Sequence, residues 1–265
     1  MSYNGKIEKA GGNKMIKKEL STGIIEYVFP PKQGQHFGNR IIALINEDKV
    51  ILIDTGYEHQ AMEVVKDLSV NQLTIEKVII THFHDDHMEG LKVLNGIPVY
   101  GSSYFQNTLD RWTSKEEQKY FIPTILVDDS IKIQFGEHEV EMISFPGHSI
   151  CTIIVKIDDK YIHVADELMF SNNGEPLLPC ITQEDVIRQF KSINKLMDYI
   201  NYTFIFGHGD NIKDKNQIIN AIENTIIYLK KILNNHNISF EEATKECTCT
   251  FLHKEWHDNV GLNTN

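Results

Sequence analysis

Between residues 77 and 90 the chain reads KVIITHFHDDHMEG, a β-branched stretch that ends in three histidines and two aspartates within six positions. A strand alternates faces, so His82 and His84 project together from its end and can reach one ion. The turn that follows can aim Asp86 and His87 elsewhere. Imidazole nitrogen and carboxylate oxygen both ligate zinc at roughly 2.0–2.2 Å, usually in fours, with one position open to water in catalytic sites. This loop alone therefore offers more donors than one open site needs. Burying so many ionisable groups without a cation would be costly. Further along, His148 in FPGHS, Asp166 in HVADE and His208 in FGHGD each follow an apolar strand. With His82, His84, Asp86 and His87 they make seven possible ligands, enough for two metal ions sharing one carboxylate and one water. Asp54, in ILIDTG, also ends a strand and is expected to stand behind the ligands, where an aspartate hydrogen-bonds and orients them. Asp85 reads as a solvated neighbour. The other histidines, His36, His59, His138, His163, His236, His253 and His257, lack such company and read as structural or surface residues.

The elements that must position these residues are legible from periodicity. GIIEYVF (23–29), RIIALI (40–45) and KVILID (49–54) are short, β-branched and separated by turn-like segments, which predicts an antiparallel opening meander. EHQAMEVVKDLS has a helical period and KVIIT (77–81) returns as a strand. MEGLKVLNG and SKEEQKYF are then expected as helices around the strand IPVYG. From 124 the texture is strands again, TILV, SIKIQF, HEVEMISF, CTIIVKI and KYIHVAD. A helix over 182–200 opens on a Thr182–Asp185 capping pattern. The strand YTFIF, the turn GHGD and a long helix over 213–236 follow. Strand and helix groups alternate in two similar halves, so two sheets packed face to face with helices outside are expected. The expected organisation is a leader over 1–22, a catalytic domain over 23–236 and a C-terminal appendage over 237–265.

Composition bounds the partners. The 265 residues are 41% hydrophobic and 24% charged, with a formal charge of −11, which repels phosphate backbones and anionic membranes. Nucleic acid and membranes are therefore not expected partners, and a small molecule is. The start MSYNGKIEKAGGNKM lacks the pattern of a secretory signal and no apolar run suits a membrane span, so a cytoplasmic location is expected. Four cysteines are too few for a disulfide scaffold. Cys247, Cys249, His253 and His257 in CTCTFLHKEWH have spacings that superficially suit zinc. A structural site usually draws on two knuckles in different elements, so the segment reads instead as an appendage carrying Trp256 onto the body.

In the order Asp54, H-x-H-x-D-H (82–87), His148, Asp166, His208, the chain resembles the metallo-β-lactamase-fold superfamily over residues 23–211. The resemblance implies an α+β fold, the four-layer αββα sandwich. It implies that His82, His84 and His148 hold one metal, Asp86, His87 and His208 the second, and that Asp166 bridges. The cofactors implied are two divalent ions, zinc by preference, with iron or manganese as alternatives. The implied activity is hydrolysis of a thioester, lactone or ester by metal-held hydroxide, with Asp86 as catalytic proton handler and no G-x-S-x-G nucleophile needed.

Within the superfamily, Asp166 stands where one group of β-lactamases carries cysteine and another has no bridging carboxylate. Those enzymes are also exported, so antibiotic cleavage is not expected. RNA-processing relatives carry an added arm for which this acidic chain has neither room nor charge. Flavin-coupled di-iron relatives replace the residue at His84 with glutamate. VADELMF resembles the GDTLF pattern of glyoxalase II, departing at Ala165 and Glu167. Quorum-quenching lactonases carry tyrosine where this chain has Met169. Two rival readings share the fold: a mononuclear iron dioxygenase acting on persulfides, and a non-catalytic metal or ligand sensor. The loop 171–181, including Cys180, is expected to overhang the site.

Overall fold

The computed structural model describes residues 14–181 and 185–261. Four strands, β1 (Ile16–Ser21), β2 (Ile24–Phe29), β3 (Asn39–Asn46) and β4 (Lys49–Ile53), form an antiparallel meander. Helix α1 (Glu58–Val70) then crosses to β5 (Thr74–Ile79), which pairs parallel to β4. The short helix α2 (Asp85–Met88) and a 3₁₀ turn lead to β6 (Val99–Ser102), and α3 (Phe105–Trp112) leads to β7 (Ile125–Val127). These seven strands make one sheet in sequence order. The second sheet holds β8 (Ser130–Phe135), β9 (His138–Ser144), β10 (Ile153–Ile157), β11 (Tyr161–His163) and β12 (Thr203–Ile205), with α4 (Val186–Lys195) crossing between the last two. Helices α5 (Lys215–Asn234) and α6 (Phe240–Ala243) follow.

Strand periodicity explains the layering. In β3, Ile42 and Leu44 face the second sheet with Ile51 and Ile53 of β4 and Ile153 and Val155 of β10. The alternate residues Ile41, Ala43, Val50 and Leu52 pack on Val64 and Leu68 of α1 and Leu109 of α3. In the second sheet Ile154, Ile162 and Phe204 turn outward onto α4 and onto the stripe Ile218, Ile222, Tyr228, Leu229 and Ile232 of α5. Three cores between four layers are the αββα sandwich. Each buried aliphatic side chain contributes about 1.5–3 kcal/mol, so a one-residue slip of a central strand would be strongly disfavoured.

Four local expectations need correction. Ile16–Ser21, within the stretch read as leader, is an edge strand on β2. SKEEQKYF holds only a 3₁₀ turn over Gln118–Tyr120: Gln118 turns inward and its Nε2 donates to the carbonyls of Leu109 and Thr113 at 3.1 and 3.2 Å, closing the end of α3. The helix lies earlier, at Phe105–Trp112. MEGLKVLNG forms the end of α2 and a 3₁₀ turn over Glu89–Val93. TILV joins the first sheet, parallel to β6, rather than opening the second. The Thr182 end of the predicted 182–200 helix lies outside the described residues.

Candidate metal centre

Five of the expected site residues follow the ends of strands, on the rim where the two sheets meet. Asp54 follows β4, His82 follows β5, His148 follows β9, Asp166 follows β11 and His208 follows β12. His84, Asp86 and His87 come from the turn into α2. The sheets are tied together at this rim, where Ile153 N donates to Thr81 O at 2.7 Å. Asp54 and Ala165 adopt left-handed backbone, φ 58° and 51°, which bends each chain sharply out of its strand. Such conformations cost about 1–3 kcal/mol in non-glycine residues and persist where surrounding structure holds them.

The seven residues converge. His82 Nε2 lies 3.1 Å from His84 Nδ1, which lies 3.2 Å from His148 Nε2. On the other side His87 Nε2 is 3.3 Å from His208 Nε2, and His208 Nε2 is 3.2 Å from Asp86 Oδ2. Between the two groups Asp166 Oδ2 stands 3.1 Å from His208, 3.4 Å from His87, 3.8 Å from His82 and 3.9 Å from His148.

Outward hydrogen bonds fix which nitrogen faces in. The carbonyl of Gly38 can only accept, so His208 Nδ1 donates to it at 3.1 Å. Asp54 Oδ2 accepts from His87 Nδ1 at 2.8 Å and from Thr81 Oγ1 at 2.8 Å. With its proton given to Asp54, Thr81 Oγ1 accepts from His82 Nδ1 at 3.2 Å. The inward Nε2 atoms of His82, His87 and His208 therefore present lone pairs, and those of His87 and His208 face each other directly. Two lone pairs at that separation repel unless a proton or a cation lies between them.

This donor set fits metal ions. Ligands about 2.0–2.1 Å from a shared tetrahedral zinc stand about 3.3 Å apart, close to the spacings observed. Asp166 Oδ1 is buried with no hydrogen-bond partner, an arrangement costly for a carboxylate unless a cation compensates it. The protonation preferences agree. Burial opposes charge on His87 and His208, yet Asp166, Asp86 and Asp54 outweigh it at His87, and Asp166 and Asp86 push His208 up to about 10. Burial and the neighbouring His148 push His84 down to about 3. Burial would raise Asp86 and Asp166, but His87 and His208 hold both well below the usual carboxylate range. Anionic oxygens and neutral imidazoles on one side, with two histidines drawing in protons on the other, describe a pocket short of positive charge.

A family model described as the metallo-beta-lactamase superfamily matches residues 38–208. The chain belongs to this superfamily. The hydroxyacylglutathione hydrolase of Klebsiella pneumoniae subsp. pneumoniae is 28% identical over 155 residues, 57% of this chain and 54% of the relative. That of Actinobacillus pleuropneumoniae serotype 5b is 22% identical over 165 residues, 60% and 63% of the two chains. The chain thus spans about half the length of the first of these relatives. Among solved structures, a metallo-beta-lactamase from Pontibacter korlensis superposes with a TM-score of 0.65 at 15% identity, over 80% of this chain and 100% of that one. The DIM-1 metallo-beta-lactamase gives 0.62 at 18%, over 80% and 98%. At such identities the structural likeness establishes the fold.

In this superfamily member the rim opens into a cavity of about 560 Å³. Its floor includes His84, Asp86, His148, Asp166 and His208, and α3 contributes Arg111 and Trp112 to its wall. Cys180 and Ile181 line it from the loop expected to overhang the site. Trp256 and Asn259 close one side from the C-terminal segment, which is anchored by a bridge between Leu177 and Leu252. Of the four residues with zinc-like spacing, three turn to separate partners: Cys247 points at Asn224 O, His257 lies between Tyr228 and Ile238, and His253 stacks on Trp256. No helix among the described residues is long and apolar enough to cross a membrane.

Several supporting residues escaped the sequence reading. Glu167 is buried beside Asp166. Its Oε1 accepts from His148 N at 2.8 Å and its Oε2 from Ser192 Oγ at 2.6 Å, while burial pushes it up to about 7. Arg40 donates to Phe206 O at 2.9 Å and Gly209 O at 2.8 Å, gripping the His208 turn on both sides. An arginine inside the otherwise apolar run NRIIALI was the available signal. For α3 the signal was Phe105, Leu109 and Trp112 at helical spacing.

Proposed function

We propose that the chain is a metal-dependent hydrolase that cleaves an ester-type bond of a small molecule, a thioester by preference. The observation that carries this reading is Asp166 Oδ2 standing within 3.9 Å of four imidazole nitrogens, at the seam of two three-donor groups. His82, His84 and His148 would hold one ion and Asp86, His87 and His208 the other, with Asp166 shared. When bound there, two divalent ions, zinc by preference, supply a water of lowered pKa and an electrophilic partner for a carbonyl oxygen.

The chain's own residues do the rest. Asp54, Thr81 and the Gly38 carbonyl accept the outward protons, so the inward nitrogen of each ring is the one that would meet a cation in place of a proton. Asp86 faces the cavity with its other oxygen turned to His208, so its carboxylate takes the proton released as water attacks and returns it to the leaving group. Trp112, Ile181 and Trp256 exclude bulk water from one side of the scissile bond. The relatives named hydroxyacylglutathione hydrolase support the thioester preference over a lactone or a simple ester.

The test is elemental analysis of purified, metal-replete protein followed by a panel of thioesters, lactones, esters and phosphodiesters. Two equivalents of metal and turnover of a thioester are expected, with His82→Ala and Asp86→Ala losing metal and nearly all turnover. One iron per chain and oxygen consumption with a persulfide would replace this reading. So would full activity in either variant.

A further inference from the structure

Against a chain of formal charge −11, one strip of the surface beside the centre is strongly basic. Helix α4 presents Arg188, Lys191 and Lys195 at i, i+3 and i+7, one face of the helix. That face forms one wall of a second cavity of about 500 Å³, whose other wall is Ser144, Phe145 and Pro146, the approach to His148. Among the described residues its lining carries three cations and no carboxylate. Lys195 Nζ lies 5.3 Å over the Phe145 ring, and Lys191 has no charged partner among the described residues.

Arg188 belongs to both cavities. Its Nε donates to Gly147 O at 3.1 Å, one residue from His148, and its Nη2 is paired with Asp185. The guanidinium therefore stands as a post between the metal centre and the basic groove. From there, Lys195 lies about 10 Å further along the helix. With Arg188 held by Asp185, Lys191 and Lys195 leave a charge of about +2 in the groove that matches a dianion, and a phosphate monoester carries about −1.5 to −2 at neutral pH. Lysine point charges are donors that phosphate recognition uses, and Arg188, occupied by Gly147 O and Asp185, marks the end of the groove nearest the centre.

We propose that the substrate is a thioester whose leaving thiol ends in a phosphate, held by Lys191 and Lys195 in the groove behind Arg188 while the acyl group occupies the metal-lined cavity. This assignment rests on the thioesterase reading above and adds the class of leaving group. A monocarboxylate would leave the groove's charge largely unmatched.

The probes are acetyl thioesters of pantetheine and of 4′-phosphopantetheine, which differ by one phosphate. For the wild-type metal-loaded protein, kcat/KM is expected to be at least tenfold higher for the phosphorylated thioester, the difference lying in KM. In Lys191→Ala/Lys195→Ala the ratio should fall towards one, and Lys191→Arg/Lys195→Arg should keep most of it. A wild-type ratio near one, or a ratio unmoved in the alanine variant, would overturn the proposal. An activity-independent arm uses calorimetry with the S-methyl thioether of 4′-phosphopantetheine, which has no scissile bond. Binding that weakens at least tenfold in the alanine variant supports the groove even if neither thioester is cleaved, in which case the thioesterase reading alone has failed. Absence of binding to wild type overturns the groove. Both lysines are exposed, so the variants should melt with the wild type.

Discussion

Asp54 Oδ2 lies 2.8 Å from His87 Nδ1. The same carboxylate accepts from Thr81 N at 2.7 Å and from Thr81 Oγ1, so one side chain sets the tautomers of both His87 and His82. In Asp54→Asn the amide nitrogen can face His87 only as a donor, which drives the ring proton onto Nε2, the atom turned towards His208. Metal affinity should fall about 10–100-fold while the fold is retained. Titrating zinc into dialysed wild-type and variant protein measures this. An unchanged affinity would remove Asp54 from its orienting role.

Gly207 is held by the room it leaves. A Cβ at this position would come within 2.6 Å of Asp166 Oδ1 and 2.9 Å of His87 Cε1. Both neighbours are held in place by the surrounding hydrogen bonds, so Gly207→Ala must displace the Asp166 carboxylate. A displacement of about 1 Å at such a centre costs on the order of 10²-fold in rate. Turnover should drop by that order with little change in the thermal midpoint. Loss of the fold together with activity would show that the position serves stability instead.

His163 gives a pH dependence of defined sign. Burial pushes this imidazole down to about 4 from its ordinary 6.5, and its Nδ1 accepts from Ala165 N at 3.2 Å, so the native state holds it neutral. Between those two values the unfolded chain takes up a proton that the native chain refuses. Stability therefore rises with pH through this window. The contribution is complete above 6.5 and is lost as pH falls towards 4, about 3 kcal/mol in all. Asparagine in His163→Asn can keep the acceptor and does not titrate. Urea unfolding of both proteins between pH 4.5 and 7 should show a shallower acid slope in the variant, with all other groups cancelling in the difference. Parallel slopes would mean that His163 takes up its proton as readily in the native state as in the unfolded chain.

What the sequence disclosed follows from which interactions are local. His82 and His84 two residues apart at a strand end, and the β-branched alternation of β3 and β4, are patterns within a few residues, and they located both sheets and the loop of the centre. Ala165 looked like a departure from a glycine in the related pattern. Its left-handed φ of 51° shows that the backbone still needs what glycine would give, only at higher strain. By contrast, Gln118 was read as part of a helix because its role is to satisfy carbonyls of a different segment, which no local period encodes. Glu167 and Arg40 were missed for the same reason. Their partners lie 19–25 residues away for Glu167 and 166–169 residues away for the carbonyls held by Arg40.

Arg40 separates two contributions that usually travel together. Its Nε lies 3.2 Å from Glu26 Oε1, with both side chains buried, while its two terminal nitrogens hold the carbonyls of Phe206 and Gly209 around His208. Arg40→Met strands the Glu26 carboxylate and should cost about 3–5 kcal/mol. Glu26→Gln in the same protein removes the stranded charge but leaves the two carbonyls unpartnered, each worth about 1–3 kcal/mol. The double variant should therefore recover only part of the loss by urea unfolding, and its metal affinity should remain reduced because the His208 turn is no longer gripped. Full recovery of stability and of metal binding would mean that the ion pair carries everything and the carbonyl bonds nothing.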